Sequence, residues 1–120
     1  MEHYKLLYKE WGCLDGNSMF ANVSKIHDGD TIKVIAPVGE SGGVYLVTCR
    51  LAGINAPELK VNTSAKLALE KLIAETDGKV FCVFGKKEKY GRILTTLYGD
   101  PTKVSLNQRM IDLGEAIEYS

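Results

Sequence analysis

The chain is short of several features that would fix its class on their own. Its three cysteines, Cys13, Cys49 and Cys82, are an odd number at unrelated spacings, with no Cys-x-x-Cys pair. That argues against a zinc site and against a disulfide framework. Cys49 and Cys82 stand in strand-like runs and are expected to be small buried side chains in a reducing compartment. Met1 to Gly12 mixes charges with Leu6 and Leu7, without an apolar stretch of signal-peptide length, and no run approaches membrane-spanning length. The expectation is a soluble, intracellular monomer that makes no use of a membrane. Charge of one sign is also lacking: fifteen basic residues balance fifteen acidic ones, with a sequence pI of about 6.7. Proteins that hold nucleic acid by bulk charge are basic, so any such affinity here must come from a local patch. Internal repeats and low-complexity segments are absent.

What is present suits one domain. At 120 residues, 45% apolar and 25% charged, the chain is long enough to bury a core without staples. Residues 1–18 are read as an N-terminal extension, an arm or an extra strand, with Tyr4, Tyr8 and Trp11 as docking side chains; residues 19–120 are read as the domain. Strand-like runs cover Phe20 to Ile26 and Thr31 to Ile35, separated by His27-Asp28-Gly29-Asp30, where Asp-Gly signals a hairpin. Pro37 to Gly43 reads as a turn, and Val44 to Leu51 as a third strand, leading to Asn55-Ala56-Pro57-Glu58, where the proline ends regular pairing. From Ser64 to Glu75 the period becomes helical through Ala65, Ala68, Leu69, Leu72 and Ile73, and Asp77-Gly78 stops it. Val80 to Phe84 and Ile93 to Tyr98 are strand-like again. Ser105 with Gln108 makes a capping box for a short helix ending at Gly114. Three strands, a helix, two strands and a helix predict a mainly β, α+β fold: a five-stranded OB-type barrel with two helices, one of them plugging an end.

Four places in the chain offer candidate chemistry. Asp28 and Asp30 flank a tight turn, which is either a plain hairpin or a seat for a hard cation that wants oxygen ligands. Arg50 shares a strand face with Val44, Leu46 and Thr48, and there needs an anion from the protein or from a ligand. Glu58 follows Pro57 in a loop, as solvated surface or as a poised base. Lys86-Lys87-Glu88-Lys89-Tyr90-Gly91-Arg92 is the one concentrated basic stretch, either a solvated hairpin or a source of phosphate affinity. Tyr90 within it is placed to stack on a base or to pack on the barrel.

Taken together, Asp28-Gly29-Asp30-Thr31, Arg50-Leu51-Ala52-Gly53-Ile54-Asn55-Ala56-Pro57-Glu58, Lys89-Tyr90-Gly91-Arg92 and Asn107 to Gly114 resemble the staphylococcal nuclease family in type, order and spacing, over roughly Phe20 to Tyr119. The resemblance implies a Ca²⁺-dependent nuclease that hydrolyses phosphodiester bonds of DNA or RNA, prefers single-stranded or loosely paired substrate and leaves 3′-phosphates. By the same resemblance Asp30 is a direct ligand of one Ca²⁺ ion, Asn55 and the Ala56 carbonyl complete its protein ligands, and Asp28 holds metal-bound water. Glu58 orients or deprotonates the attacking water, and Arg50 and Arg92 grip the scissile phosphate. Lys87, Lys89, Tyr90 and Tyr119 are the expected substrate contacts. The sequence departs from the family in three places. Asn55 stands where an aspartate is usual, removing one ligand charge. The loop from Glu58 to Ser64 is short. The family's C-terminal helix has no counterpart before Tyr119-Ser120. An alternative reading is a nuclease-like module that binds nucleic acid or protein without cutting.

Overall fold

In the computed structural model, which describes residues 16–37, 44–57 and 63–119, alternation of apolar and polar side chains explains most of the strands. In β2 (Thr31–Ala36), Ile32, Val34 and Ala36 point inward; in β3 (Tyr45–Leu51), Tyr45, Val47, Cys49 and Leu51 do so. The same period of two buries Val80, Cys82 and Phe84 of β5 (Lys79–Lys87) and Ile93, Thr95 and Leu97 of β6 (Ile93–Tyr98). β1 (Ser18–Asp28) is longer than its apolar pattern, because two register shifts against β2 break the alternation. These strands close in the order β1-β2-β3-β6-β5, with β3 and β6 parallel and the other pairs antiparallel. The expected five-stranded barrel is therefore present.

The helix α1 (Ser64–Ala74) buries Ala65, Leu69, Leu72 and Ile73, the apolar stripe its sequence shows. The second helix, α2 (Leu106–Asp112), is capped by Ser105, whose hydroxyl accepts the Gln108 N–H at 3.1 Å. Only half of the expected capping box forms, since the Gln108 side chain donates to Asp112 instead. Gly114, at φ 75°, lets the chain reverse while the Glu115 and Ala116 N–H groups return to the Met110 carbonyl. That reversal delivers β7 (Ile117–Glu118) to β4 (Ile54–Asn55). Two-residue strands carry no periodicity, so sequence reading missed both. Gly16 and Asn17 are already hydrogen-bonded to Phe84 and Ser18 begins β1; residues 1–15 of the expected extension, the turn over 38–43 and residues 58–62 lie outside the described residues. No described helix is long and apolar enough to cross a membrane.

Buried Asn107 ties α2 to the barrel. Its side chain accepts the Leu97 N–H at 2.9 Å and donates to the Ala52 and Thr95 carbonyls. The segment that leaves β3 is thereby fixed beside β6.

Candidate active site

The turn between β1 and β2 is set by a close approach. A Cβ on Gly29 would lie 2.5 Å from the Ala65 Cβ and 2.8 Å from the Ala56 Cβ. Only glycine lets the turn sit against the start of α1. Asp30, next in sequence, is consequently buried. Its N–H donates to Asp28 Oδ1 at 3.1 Å, and its carbonyl accepts the Leu51 N–H. Its own carboxylate accepts the Ala56 N–H at 3.0 Å and the Thr31 hydroxyl at 3.2 Å, and pairs with Arg50 at 3.3 Å. Burial pushes the Asp30 carboxyl above the ordinary aspartate range and the adjoining Asp28 adds to that; the Ala56 N–H and the Arg50 guanidinium oppose it without cancelling it.

Arg50 is on the outer side of β3, near its end, and faces Asp30. One terminal nitrogen meets Asp30 and the Leu51 carbonyl, and the other lies 3.4 Å from the Asn55 amide oxygen. Pairing of β4 with β7 holds Asn55 in this position and brings Tyr119, whose ring centroid is 5.9 Å from the Arg50 guanidinium carbon. Asp28, Asp30, Arg50, Asn55 and Tyr119, far apart in sequence, therefore share one rim of the barrel. For Ala56 the contact seen is its N–H on Asp30. Glu58 lies outside the described residues.

Arg92 reaches the same rim from the hairpin after β5. Its Nη1 donates to the Thr31 hydroxyl at 3.2 Å, and Thr31 donates onward to Asp30. Its other edge is taken by Glu88, with Nε and Nη2 at 3.2 and 3.1 Å. Glu88 also accepts the Tyr90 and Arg92 backbone N–H groups. These contacts hold the Glu88 carboxyl below the ordinary glutamate range, Arg92 being the main cause. Sequence reading left both Glu88 and Thr31 without a role. The available signal was the glutamate four residues before Arg92 within an otherwise basic run. Tyr90 is exposed, with the Lys89 ammonium 5.0 Å and the Arg92 guanidinium carbon 5.9 Å from its ring centroid. Lys87 and Lys89 are exposed, Lys87 at the end of β5 and Lys89 in the turn.

The side chains on this rim that could hold a cation offer oxygen donors: the Asp28 and Asp30 carboxylates and the Asn55 amide. No group of three His, Cys, Asp or Glu side chains suited to a metal occurs among the described residues. Two adjacent carboxylates, one raised in pKa by burial and by its neighbour, fit a hard dication that would relieve their repulsion. With Asn55 as a neutral third donor, such a site would be weaker than one of three carboxylates. Arg50 and Arg92 supply planar forks beside it, suited to a phosphoryl group. A cleft of about 750 Å³ between α1 and α2, lined by Leu67, Leu72, Glu75, Arg109 and Leu113, shares none of these residues.

No curated protein matches the chain. Residues 48–120, which hold Arg50, Asn55, Glu58 and Arg92 and most of the described barrel outside β1 and β2, match the family model described as "Staphylococcal nuclease homologue". With well over half of its length matched and the barrel closed as the motifs imply, the chain belongs to the staphylococcal nuclease homologue family.

Proposed function

We propose that the protein is a Ca²⁺-dependent phosphodiesterase acting on single-stranded or loosely paired DNA or RNA. The observation that carries this is the convergence of two arginines on one carboxylate, Arg50 directly on Asp30 and Arg92 through Thr31. A merely structural barrel rim has little need of both.

In this reading Arg50 and Arg92 bind the two non-bridging oxygens of the scissile phosphate and gain strength as charge builds there. Glu58 takes a proton from the attacking water. The water oxygen forms a bond to phosphorus while the bond to the 5′-oxygen breaks; the 5′-oxygen leaves as a hydroxyl by taking a proton from solvent, to which Glu58 later returns its own, and the 3′-phosphate stays on the other strand end. Asp30, Asn55 and the Ala56 carbonyl would hold the dication, with Asp28 acting through water. A bound dication supplies Lewis-acid stabilisation of the phosphoryl oxygens. Lys87, Lys89, Tyr90 and Tyr119 contact the flanking nucleotides, the tyrosines by stacking.

Digestion products identify the reaction. The new 3′ ends should resist polymerase extension until treated with a phosphatase; ends extendable without that treatment would sink the assigned bond. The second reading, a module that binds without cutting, is favoured by neutral Asn55 and the zero net charge. It predicts retained binding of single strands with no products at any calcium level.

A further inference from the structure

We infer that Glu88 is the positioning residue for Arg92, holding its guanidinium plane so that one N–H on each terminal nitrogen faces the scissile phosphate. The inference rests on the phosphodiesterase reading and extends it to a residue outside the four motifs.

Glu88 contacts the hairpin at four points. Oε1 accepts the Tyr90 N–H at 2.9 Å, the Arg92 N–H at 3.0 Å and Arg92 Nε at 3.2 Å, while Oε2 accepts Nη2 at 3.1 Å. The Glu88 N–H also donates to the Arg92 carbonyl, and the Gly91 N–H to the Glu88 carbonyl. The carboxylate is thus anchored to backbone before it touches the guanidinium. A competing phosphate cannot carry it away, as it could a glutamate on a free stem. Of the five guanidinium N–H groups, Glu88 takes Nε–H and one on Nη2, and Thr31 takes one on Nη1. One N–H is left on each terminal nitrogen, the number that a fork on two phosphoryl oxygens needs.

Thr31 fixes the opposite side, accepting from Arg92 and donating to Asp30, with Arg50 on the other Asp30 oxygen. A line of polar contacts therefore runs from Glu88 through Arg92, Thr31 and Asp30 to Arg50. An arginine stem left free must lose rotamer freedom to grip a ligand. Held this way, Arg92 has lost that freedom already. A solvated charge run would need only one of these contacts.

The test is a double-mutant cycle on heat-denatured DNA with millimolar calcium, using wild type, E88Q, R92A and E88Q/R92A. Glutamine keeps an oxygen for the two backbone N–H groups but cannot accept from both Nε and Nη2. E88Q should lower kcat by about 10²-fold, the usual penalty for a misplaced catalytic group, with KM changed less than threefold. R92A should lose about 10²–10³-fold, and the double variant should be no worse than R92A. E88D, too short to reach both backbone and guanidinium, should fall between wild type and E88Q. A second readout is independent of cutting: the ¹⁵Nε–H signal of Arg92 should be sharp in wild type and lost to exchange in E88Q. E88Q activity within twofold of wild type, losses that multiply in the double variant, or an Arg92 signal unchanged in E88Q would each overturn the inference. Absence of cutting by wild type, or full activity of R92A, would instead remove the functional reading on which it rests.

Discussion

At the carboxylate pair, burial and the neighbouring Asp28 raise the Asp30 carboxyl, while Arg50 and the Ala56 N–H lower it. Removing the Asp28 charge takes away one raising influence. In Asp28→Asn, whose amide oxygen still accepts the Asp30 N–H, the Asp30 carboxyl should titrate at lower pH in an NMR titration; an unmoved midpoint would contradict the coupling. Asn55 sets the remaining charge of the rim, and Asn55→Asp should tighten calcium binding in a direct titration, whereas an unchanged isotherm would remove Asn55 from the ligand set. The side chains that meet at the candidate site could be singled out because each lies in a short motif: Asp28 and Asp30 around an Asp-Gly turn, Arg50 at a strand end, Arg92 after Tyr90-Gly91. Their partners were not legible. The contact of Arg92 with Thr31 spans 61 residues, and nothing local announces it. Glu88 was hidden for a different reason, since among four basic neighbours it reads as one more solvated charge.

Among the elements, the β1–β2 turn and the 88–92 hairpin do most to shape the rim. Gly29 serves the first by its lack of a side chain, so Gly29→Ala should destabilise the fold by about 1–3 kcal/mol, as overpacking does. A chemical denaturation curve measures this, and a change near zero would mean the turn can lift off α1 freely. In the hairpin, Glu88 has a folded pKa below its unfolded one. Its stabilising contribution is therefore complete above the ordinary glutamate pKa and is lost as pH falls through the depressed folded value. The difference in melting temperature between wild type and Glu88→Gln should hold steady from pH 7 down to about pH 5 and shrink below about pH 4. Asn107 joins α2 to the barrel by three hydrogen bonds, and Asn107→Ala, stranding the buried Leu97 N–H, should cost about 3 kcal/mol. The barrel strands were readable because alternation survives where a wall is buried on one face, as in Thr31–Ala36 and Tyr45–Leu51. β1 was read short because its register shifts interrupt that alternation, and the β4–β7 pair escaped because its two-residue strands exist only by tertiary pairing.

Over the whole molecule, the barrel interior holds two thiols and the rim holds the charges. Burial pushes Cys49 up to about 11 and Cys82 further in the same direction. In a Cys13→Ser background neither should react with a thiol reagent at mildly alkaline pH until denaturant is added; rapid labelling of the native state would show a more open barrel. With zero net charge, affinity for a polyanion must come from the rim, so substrate and metal are expected to depend on each other there. The proposed function is calcium-dependent cutting of nucleic acid at this rim, with Glu58 as base. It is met most directly by digesting heat-denatured DNA with the purified protein, in millimolar calcium or in chelator, beside Glu58→Gln. Calcium-dependent cutting that disappears in the variant is the predicted result. A folded protein that leaves the DNA whole at every calcium concentration would contradict it and leave the barrel a binding module.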